Sequence, residues 1–436
     1  MKIGIVSVTS QPCWGGAEIY LNRLNAFLNN CNDENMESWL ITGVPEIEKY
    51  DNGSVNQIRL VMPQVEDAIN THGIKNGVDV LFDSEQTQLW LDKVEEKLSN
   101  LEPFDIGIIY LQTLFFNDVE EVLKRLRPYF KHLITTSFDI ESKVIEKLIS
   151  ENKRTESLLE TLDRVKDDVK ENLSVSNDTH LMKSQNIPQI KNHLHISHFN
   201  RDVLKLLKPS DSNDYVFQPI LHKKWLENID YSNHYQLIKT KPEDYTIGVI
   251  NPNSRKGNKI IAEIIAKTQY KFLILNGGWG AGDEFNNYLI SEYNTNFSER
   301  VKILNYSRNI ISFYDSIDAF LFPSWIEGYG QVAQESITRK KPVITTNYPS
   351  IQQATIGKGK YINIKDYHNI DVWLEAIEDV YDNQGYWHFE CNDGALMILN
   401  RMQYQGNEFI QWLQQIGGQP EKLESNLRYN SLPLSE

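Results

Sequence analysis

The stretch from Asp318 to Pro342 constrains the chain more than any other. It opens with a short apolar strand, Ala319 to Phe322, halted by Pro323 and Ser324. A turn follows in which Gly328 and Gly330 straddle Tyr329, and the pattern predicts a helix starting near Gln331. Glu327 and Glu335 stand eight residues apart, the first in the loop and the second about a turn into the helix. A strand that hands its C-terminal end to a glycine turn and then a helix N-terminus is where open α/β sheets bind ligands. The unpaired N–H groups and the positive end of the helix dipole favour phosphate there. Carboxylates beside a phosphate are electrostatically out of place unless another part of the ligand needs acceptors. The hydroxyls of a ribose and a hexose do, so the stretch points to a nucleotide-sugar site. Taken alone, two glutamates at this spacing also fit an ordinary strand–turn–helix with a charged surface.

These residues carry a resemblance. The run Asp318 to Ser324, then Glu327-Gly-Tyr-Gly330, then Glu335 and the strand after Lys341, is similar to the Glu-x7-Glu signature of retaining GT-B glycosyltransferases, glycosyltransferase family 4 in particular. The likeness is strong over about 246–365 and over 1–28, and weak between. It implies an α/β chain of the GT-B class, two Rossmann-like doubly wound domains facing a cleft. An N-terminal acceptor-side domain is expected over 1–208, with a helical insert at about 141–190. A linker at 209–243, a nucleotide-sugar-binding domain at 244–404, and a C-terminal helix and tail at 405–436 complete the expectation.

Composition agrees with that size and class. A chain of 436 residues exceeds one typical domain, and 40% hydrophobic residues support full cores. A formal net charge of −15 argues against non-specific nucleic-acid binding. Cys13, Cys31 and Cys391 are odd in number and far apart, which fits neither a disulfide framework nor a zinc site. No apolar run reaches the ~20 residues of a membrane span. Met1 to Val8 turns polar too early for a signal peptide and reads as a first strand, so a soluble cytoplasmic protein is expected.

Along the chain, strands alternate with helical patterns, the order of a parallel doubly wound sheet. Lys2–Val8 is a buried-type strand that runs through Gly15 and Gly16 into a helix over about Ala17–Leu28. This glycine loop is neither a Walker loop nor GxGxxG. By the resemblance it faces the donor diphosphate and the acceptor, with Cys13 and Trp14 as loop packing. Strands follow at Trp39–Gly43, Gln57–Val61, Asp105–Leu111 and His132–Phe138, with helices at Glu85–Leu98 and Val119–Leu126. Between Glu141 and Leu173, the apolar spacing of Leu158, Leu162, Val165, Val169 and Leu173 marks an amphipathic insert, either an acceptor or partner surface or a cap on its own domain. His193, His195 and His198 alternate as in a strand rather than cluster as in a metal cage. Pro209 and Pro219 break the polar stretch before the second domain. That domain is expected to carry strands at Thr246–Ile250, Lys271–Leu275, Val301–Leu304 and Lys360–Ile364, with a late helix at Val372–Tyr381. Phe409–Ile416 matches the helix that crosses back to the first domain in GT-B proteins.

Transfer of a sugar from a nucleoside diphosphate requires stabilising the charge that develops on the leaving phosphate. Arg255 and Lys256, ahead of Gly257, form a cationic set, and the N–H groups around Gly330 and Gln331 a neutral one. The resemblance assigns Lys256 to the phosphates, Glu335 to the ribose hydroxyls and Glu327 to the donor sugar, with Gly328, Tyr329 and Gly330 beside it. Asn251 and the glycines Gly277 and Gly278 complete the binding positions. Asn251 stands where the family usually has an arginine, and Phe138 where it often has a histidine. Asn347 to Gln353 replaces a glycine pair and a glutamate. By the resemblance no metal is needed and no cofactor is expected; Asp315 and Asp318 do not form a DxD loop, being three residues apart with the second at the start of a core strand. The expected partners are a nucleotide-sugar donor, a UDP-sugar first, and a hydroxyl-bearing acceptor, with peripheral membrane contact left open for a lipid. The rival reading is a non-catalytic GT-B subunit that binds or activates a partner enzyme; an epimerase or phosphorylase ranks below it.

Overall fold

The computed structural model describes residues 1–9, 15–31, 35–44, 56–72, 80, 84–111, 119–137, 191–207, 212–221, 225, 229, 239–276, 281–293, 297–304 and 309–418. The expectations for the insert at 141–190, and for Cys13, Trp14, Phe138, Gly277 and Gly278, lie outside these residues. The chain forms two compact units. One takes the described residues up to 137, those from 191 to 220, and those from Met402 on; the other takes Leu221–Arg401.

The first unit is a seven-stranded parallel sheet. Its strands are β1 (Lys2–Val6), β2 (Glu37–Thr42), β3 (Gln57–Arg59), β4 (Phe104–Tyr110), β5 (Phe130–Ser137), β6 (Asn192–His195) and β7 (Asn213–Val216). They lie in the order β3-β2-β1-β4-β5-β6-β7. Ile3, Ile5, Ile106 and Ile108 are fully buried, as expected of strands covered on both faces. Gly4 and Gly107 pair in register, and both are glycine for want of room. A Cβ on either would stand within 2.7 Å of the Phe130 ring. The helix Gly16–Asn30 buries Tyr20, Leu21, Leu24 and Leu28 in this unit.

Two expectations need correction here. Residues 213–216, inside the stretch read as linker, form β7 and pair with β6. The aromatic residues that pack against this strand come from far along the chain, so its polar surroundings concealed it. Tyr215 stacks on Trp412 with ring centroids 5.1 Å apart, and Phe217 on Phe409 at 4.2 Å. The second correction concerns the short helix at Phe409–Ile416, which is the end of a 33-residue helix, Gln384–Ile416. The helix runs through Gly394 and Gly406, although glycine inside a helix costs about 1 kcal/mol relative to alanine. Both are sites of close packing. A Cβ at Gly394 would meet Ile337 Cγ2 at 2.9 Å, and one at Gly406 would meet Phe27 at 3.1 Å.

The second unit is a six-stranded parallel sheet of β8 (Thr246–Ile250), β9 (Lys271–Leu275), β10 (Val301–Leu304), β11 (Ala319–Phe322), β12 (Val343–Thr346) and β13 (Lys360–Ile362). The order is β10-β9-β8-β11-β12-β13. Ile247, Val249, Ile274, Leu321 and Ile344 form its core with Ile261 and Trp373 from the covering helices. Strand order reverses between β8 and β11, so the carboxyl ends of these two strands mark the crevice where such sheets take ligands. β1 ends at Val6, β3 at Arg59 and β13 at Ile362, each two residues earlier than expected. Among the described residues, no helix is long and apolar enough to cross a membrane.

Candidate functional site

The site is assembled from the loops that leave β8 and β11. After β8 the chain passes through Asn251, whose φ of 52° is left-handed, and Asn253 then caps a 3-10 turn, Ser254–Lys256. The Asn253 side chain accepts a hydrogen bond from the Lys256 N–H at 3.0 Å. Gly257 follows with φ 71°. A side chain there would be strained by the backbone and would also lie 2.5 Å from the Pro323 carbonyl oxygen. Only glycine lets the two loops touch. That contact sets Lys256 beside the end of β11, its ammonium 4.8 Å from the centre of the Phe322 ring.

Past Phe322, β11 runs out of strand partners and Pro323 offers no N–H. Three successive carbonyls are taken instead by side-chain hydroxyls. Thr345 donates to Phe322 at 2.7 Å, Tyr367 to Pro323 at 2.9 Å, and Thr346 to Ser324 at 2.7 Å. The loop so fixed presents Glu327, whose Oε1 accepts from the Lys256 ammonium and, at 2.8 Å, from the Ser324 hydroxyl. Its backbone carbonyl accepts from Ser350 at 2.7 Å. The ion pair is partly open to solvent, with 24% of the Lys256 side chain and 15% of the Glu327 side chain exposed. Below it, burial first and then the charge of Glu327 push the Tyr348 phenol well above its ordinary pKa.

Gly330, with φ 90°, ends the loop and caps the helix Gln331–Thr338. From Gly328 to Val332, no backbone N–H finds an acceptor among the described residues. Such a run of open donors is a ready anion site. Glu335 lies on this helix, 3% exposed, and accepts from the Gln331 side chain at 3.3 Å. The Tyr314 hydroxyl lies 3.4 Å from its other oxygen and 2.9 Å from the Val332 carbonyl.

The structure thus brings Lys256, Glu327, Gln331 and Glu335 together at one end of the second sheet. Arg255 is exposed beside them, its carbonyl 3.3 Å from the Ser324 hydroxyl. Asn251 sits at the tip of β8. Tyr329 points the other way: its ring is buried, with the Arg401 guanidinium 5.9 Å from its centre, so only its backbone borders the site. Gly15 and Gly16 belong to the first unit, where Gly15 caps its helix and a Cβ would stand 2.1 Å from the buried Glu18 carboxylate. His193 and His195 are in β6, bonded to Thr135 at 2.6 Å and Asp214 at 3.1 Å. Sequence reasoning missed Asn253, Ser324, Thr345, Thr346, Ser350 and Tyr367. The Pro-Ser step after a strand could have flagged Ser324, but no local signal marks the others.

Residues 236–390 match the family described as Glycosyl transferases group 1. Over 158 residues the chain is 29% identical to the O-antigen biosynthesis glycosyltransferase WclY of Escherichia coli, covering 34% of this chain and 44% of that protein. The chain spans less than half the length of the curated relatives it matches. Among solved structures, sucrose-phosphate synthase from Thermosynechococcus elongatus superposes with a TM-score of 0.65 at 16% identity, over 96% of this chain and 99% of that one. Anabaena HepE in complex with UDP-glucose gives 0.59 at 12% identity, over 95% and 100%. These likenesses are at the level of fold, and they agree with the two strand orders. The chain has the GT-B fold, two Rossmann-like parallel sheets, and the second of them carries the match to the Glycosyl transferases group 1 family.

Proposed function

We propose that this chain is a glycosyltransferase that moves a sugar from a nucleotide-sugar donor to a hydroxyl-bearing acceptor with retention at the anomeric carbon. The observation that carries the reading is the Lys256–Glu327 pair beside the open N–H groups of Gly328–Val332, at the switch point of the second sheet. In this reading Lys256 and those N–H groups hold the diphosphate and meet the charge that grows on it as the sugar leaves. Arg255 adds a second positive charge from the rim. Glu327 accepts hydrogen bonds from the sugar hydroxyls, and Glu335 from the ribose. The family match over 236–390 supports glycosyl transfer, and the UDP-glucose complex of HepE makes a UDP-sugar the first donor to try. No divalent metal is called on, because the protein's own cations and N–H groups serve the phosphates. The proposed place of action is the cytoplasm, where nucleotide sugars are made.

A thermal-shift series with UDP-, ADP-, GDP- and dTDP-sugars tests the reading, repeated on Glu335→Ala. Stabilisation by one nucleotide class, lost in the variant, is the expected result. Absence of any shift would overturn the donor site and turn attention to a non-catalytic subunit that acts through a partner.

A further inference from the structure

β8 and β9 pair in parallel with Ile250 beside Leu275, so Asn251 and Asn276 are the next residues on neighbouring strand tips. Their backbones still follow the sheet. The Asn251 N–H donates to Leu275 at 2.8 Å, and the Asn276 N–H donates to Leu304 at 3.0 Å. Their side chains do not share in this order. The amide oxygen of each is buried and has no hydrogen-bond partner among the described residues. Asn276 is 8% exposed, and Asn251 is half-buried.

A buried amide carbonyl without a donor is unfavourable, and native structures rarely keep one without a reason. For Asn251 the backbone supplies part of a reason, since asparagine tolerates the left-handed conformation better than most residues. That accounts for the residue type and not for its unused oxygen. Asn276 has no such backbone demand. Two adjacent amides with the same unmet need, at the ligand-binding end of the sheet, call for a hydrogen-bond donor from outside the protein.

The chemistry of the donor follows from its neighbours. Strand β9 lies on the side of β8 away from β11, so Asn276 and Glu327 flank β8 on opposite sides, with Asn251 at the tip of β8 between them. A diphosphate at neutral pH only accepts hydrogen bonds, and Lys256 with the loop N–H groups already suits it. It cannot satisfy an amide oxygen. Hydroxyls and ring N–H groups can. We infer that Asn251 and Asn276 form a neutral subsite that accepts hydrogen bonds from a hydroxyl or N–H group of the nucleoside or sugar, separate from the phosphate contacts. The inference rests on the nucleotide-sugar reading above and assigns a part of that ligand to each flank of β8.

The test is calorimetric titration of the full chain with inorganic pyrophosphate, with UDP, ADP, GDP and dTDP, and with the glucose ester of each. Wild type is compared with Asn251→Leu and Asn276→Leu, after thermal melts confirm that each folds. Leucine keeps the volume and removes the amide acceptor and donor without adding charge. The expected outcome is that leucine weakens the preferred nucleotide or nucleotide sugar about tenfold or more, while pyrophosphate binds as before. Loss of pyrophosphate and nucleotide binding together in the leucine variants would show amide N–H groups facing phosphate, which overturns the subsite and leaves the nucleotide-sugar reading standing. Unchanged binding in the leucine variants also overturns it. A wild type that binds pyrophosphate and no nucleotide would sink the broader reading and this one with it.

Discussion

Lys256 and Glu327 form an ion pair across the ends of β8 and β11, so the group proposed for the donor's phosphates is held by the group proposed for its sugar. The two side chains can therefore be separated by experiment. Glu327→Ala frees the ammonium without removing it. Binding of a nucleoside diphosphate should hold or strengthen in this variant, while transfer falls about 10- to 100-fold with the loss of a charged hydrogen-bond acceptor. Lys256→Ala should lower both, with transfer down about 100-fold or more. Steady-state kinetics beside calorimetry would decide; parallel losses in both variants contradict the separate roles.

Ser350 fixes the loop from outside it, through its hydrogen bond to the Glu327 carbonyl. The serine is fully buried, and its removal leaves that carbonyl without this donor. Ser350→Ala should cost about 1–2 kcal/mol of stability. It should also lower kcat up to about tenfold with little change in KM, as expected when a group is displaced rather than deleted. A melt and a kinetic profile together check this. A fall in KM alone would argue against it.

Gly257→Ala should be harsher than a glycine-to-alanine change in an ordinary loop. The left-handed backbone and the nearby Pro323 carbonyl both oppose a Cβ. A loss of about 1–3 kcal/mol in urea unfolding is expected, together with weaker diphosphate binding as Lys256 shifts. Wild-type affinity in a folded variant would show that the contact between the loops does not position the lysine.

Asp214 gives the first unit a dependence on acid. Burial raises its pKa, but the hydrogen bond and charge of His195, with a hydrogen bond from Ser212, outweigh that and leave the carboxyl below its ordinary value. A folded-state pKa below the unfolded one means stability that is present above the unfolded value of about 4 and lost as pH falls through the folded one. Asp214→Asn should be less stable than wild type near neutral pH, and the gap should close below about pH 4. Denaturation midpoints from pH 3 to 7 would test it; a constant gap would contradict the linkage.

How much of this was legible beforehand depended on the range of the interactions. The strands β1, β4, β8, β9 and β11 were plain, because each is a continuous apolar run between breakers. The Gly328–Gly330 turn and the helix behind it were plain for the same local reasons. β7 was not, since its Tyr215 packs against Trp412 and Phe409 from the far end of the chain. Nor was the full length of the long helix, where the purpose of Gly394 and Gly406 appears only with their neighbours in place. The lysine and glutamates of the site could be named singly, but not the direct bond between Lys256 and Glu327. Tyr329 looked like a ligand contact from its place in the motif, and its ring turned out to serve the core.

The hydroxyls that hold the Phe322, Pro323 and Ser324 carbonyls come from Thr345, Thr346 and Tyr367, none of which lies in the stretch by which the site is recognised. The signature from Asp318 to Pro342 is therefore not a portable module. Grafted alone into another parallel sheet, it would arrive without the residues that give it shape, and Glu327 would have no fixed address. Tyr329 packs against Arg401 and the helix behind it against Gly394, so the piece that carries the site's shape is the compact unit Leu221–Arg401 and not the signature.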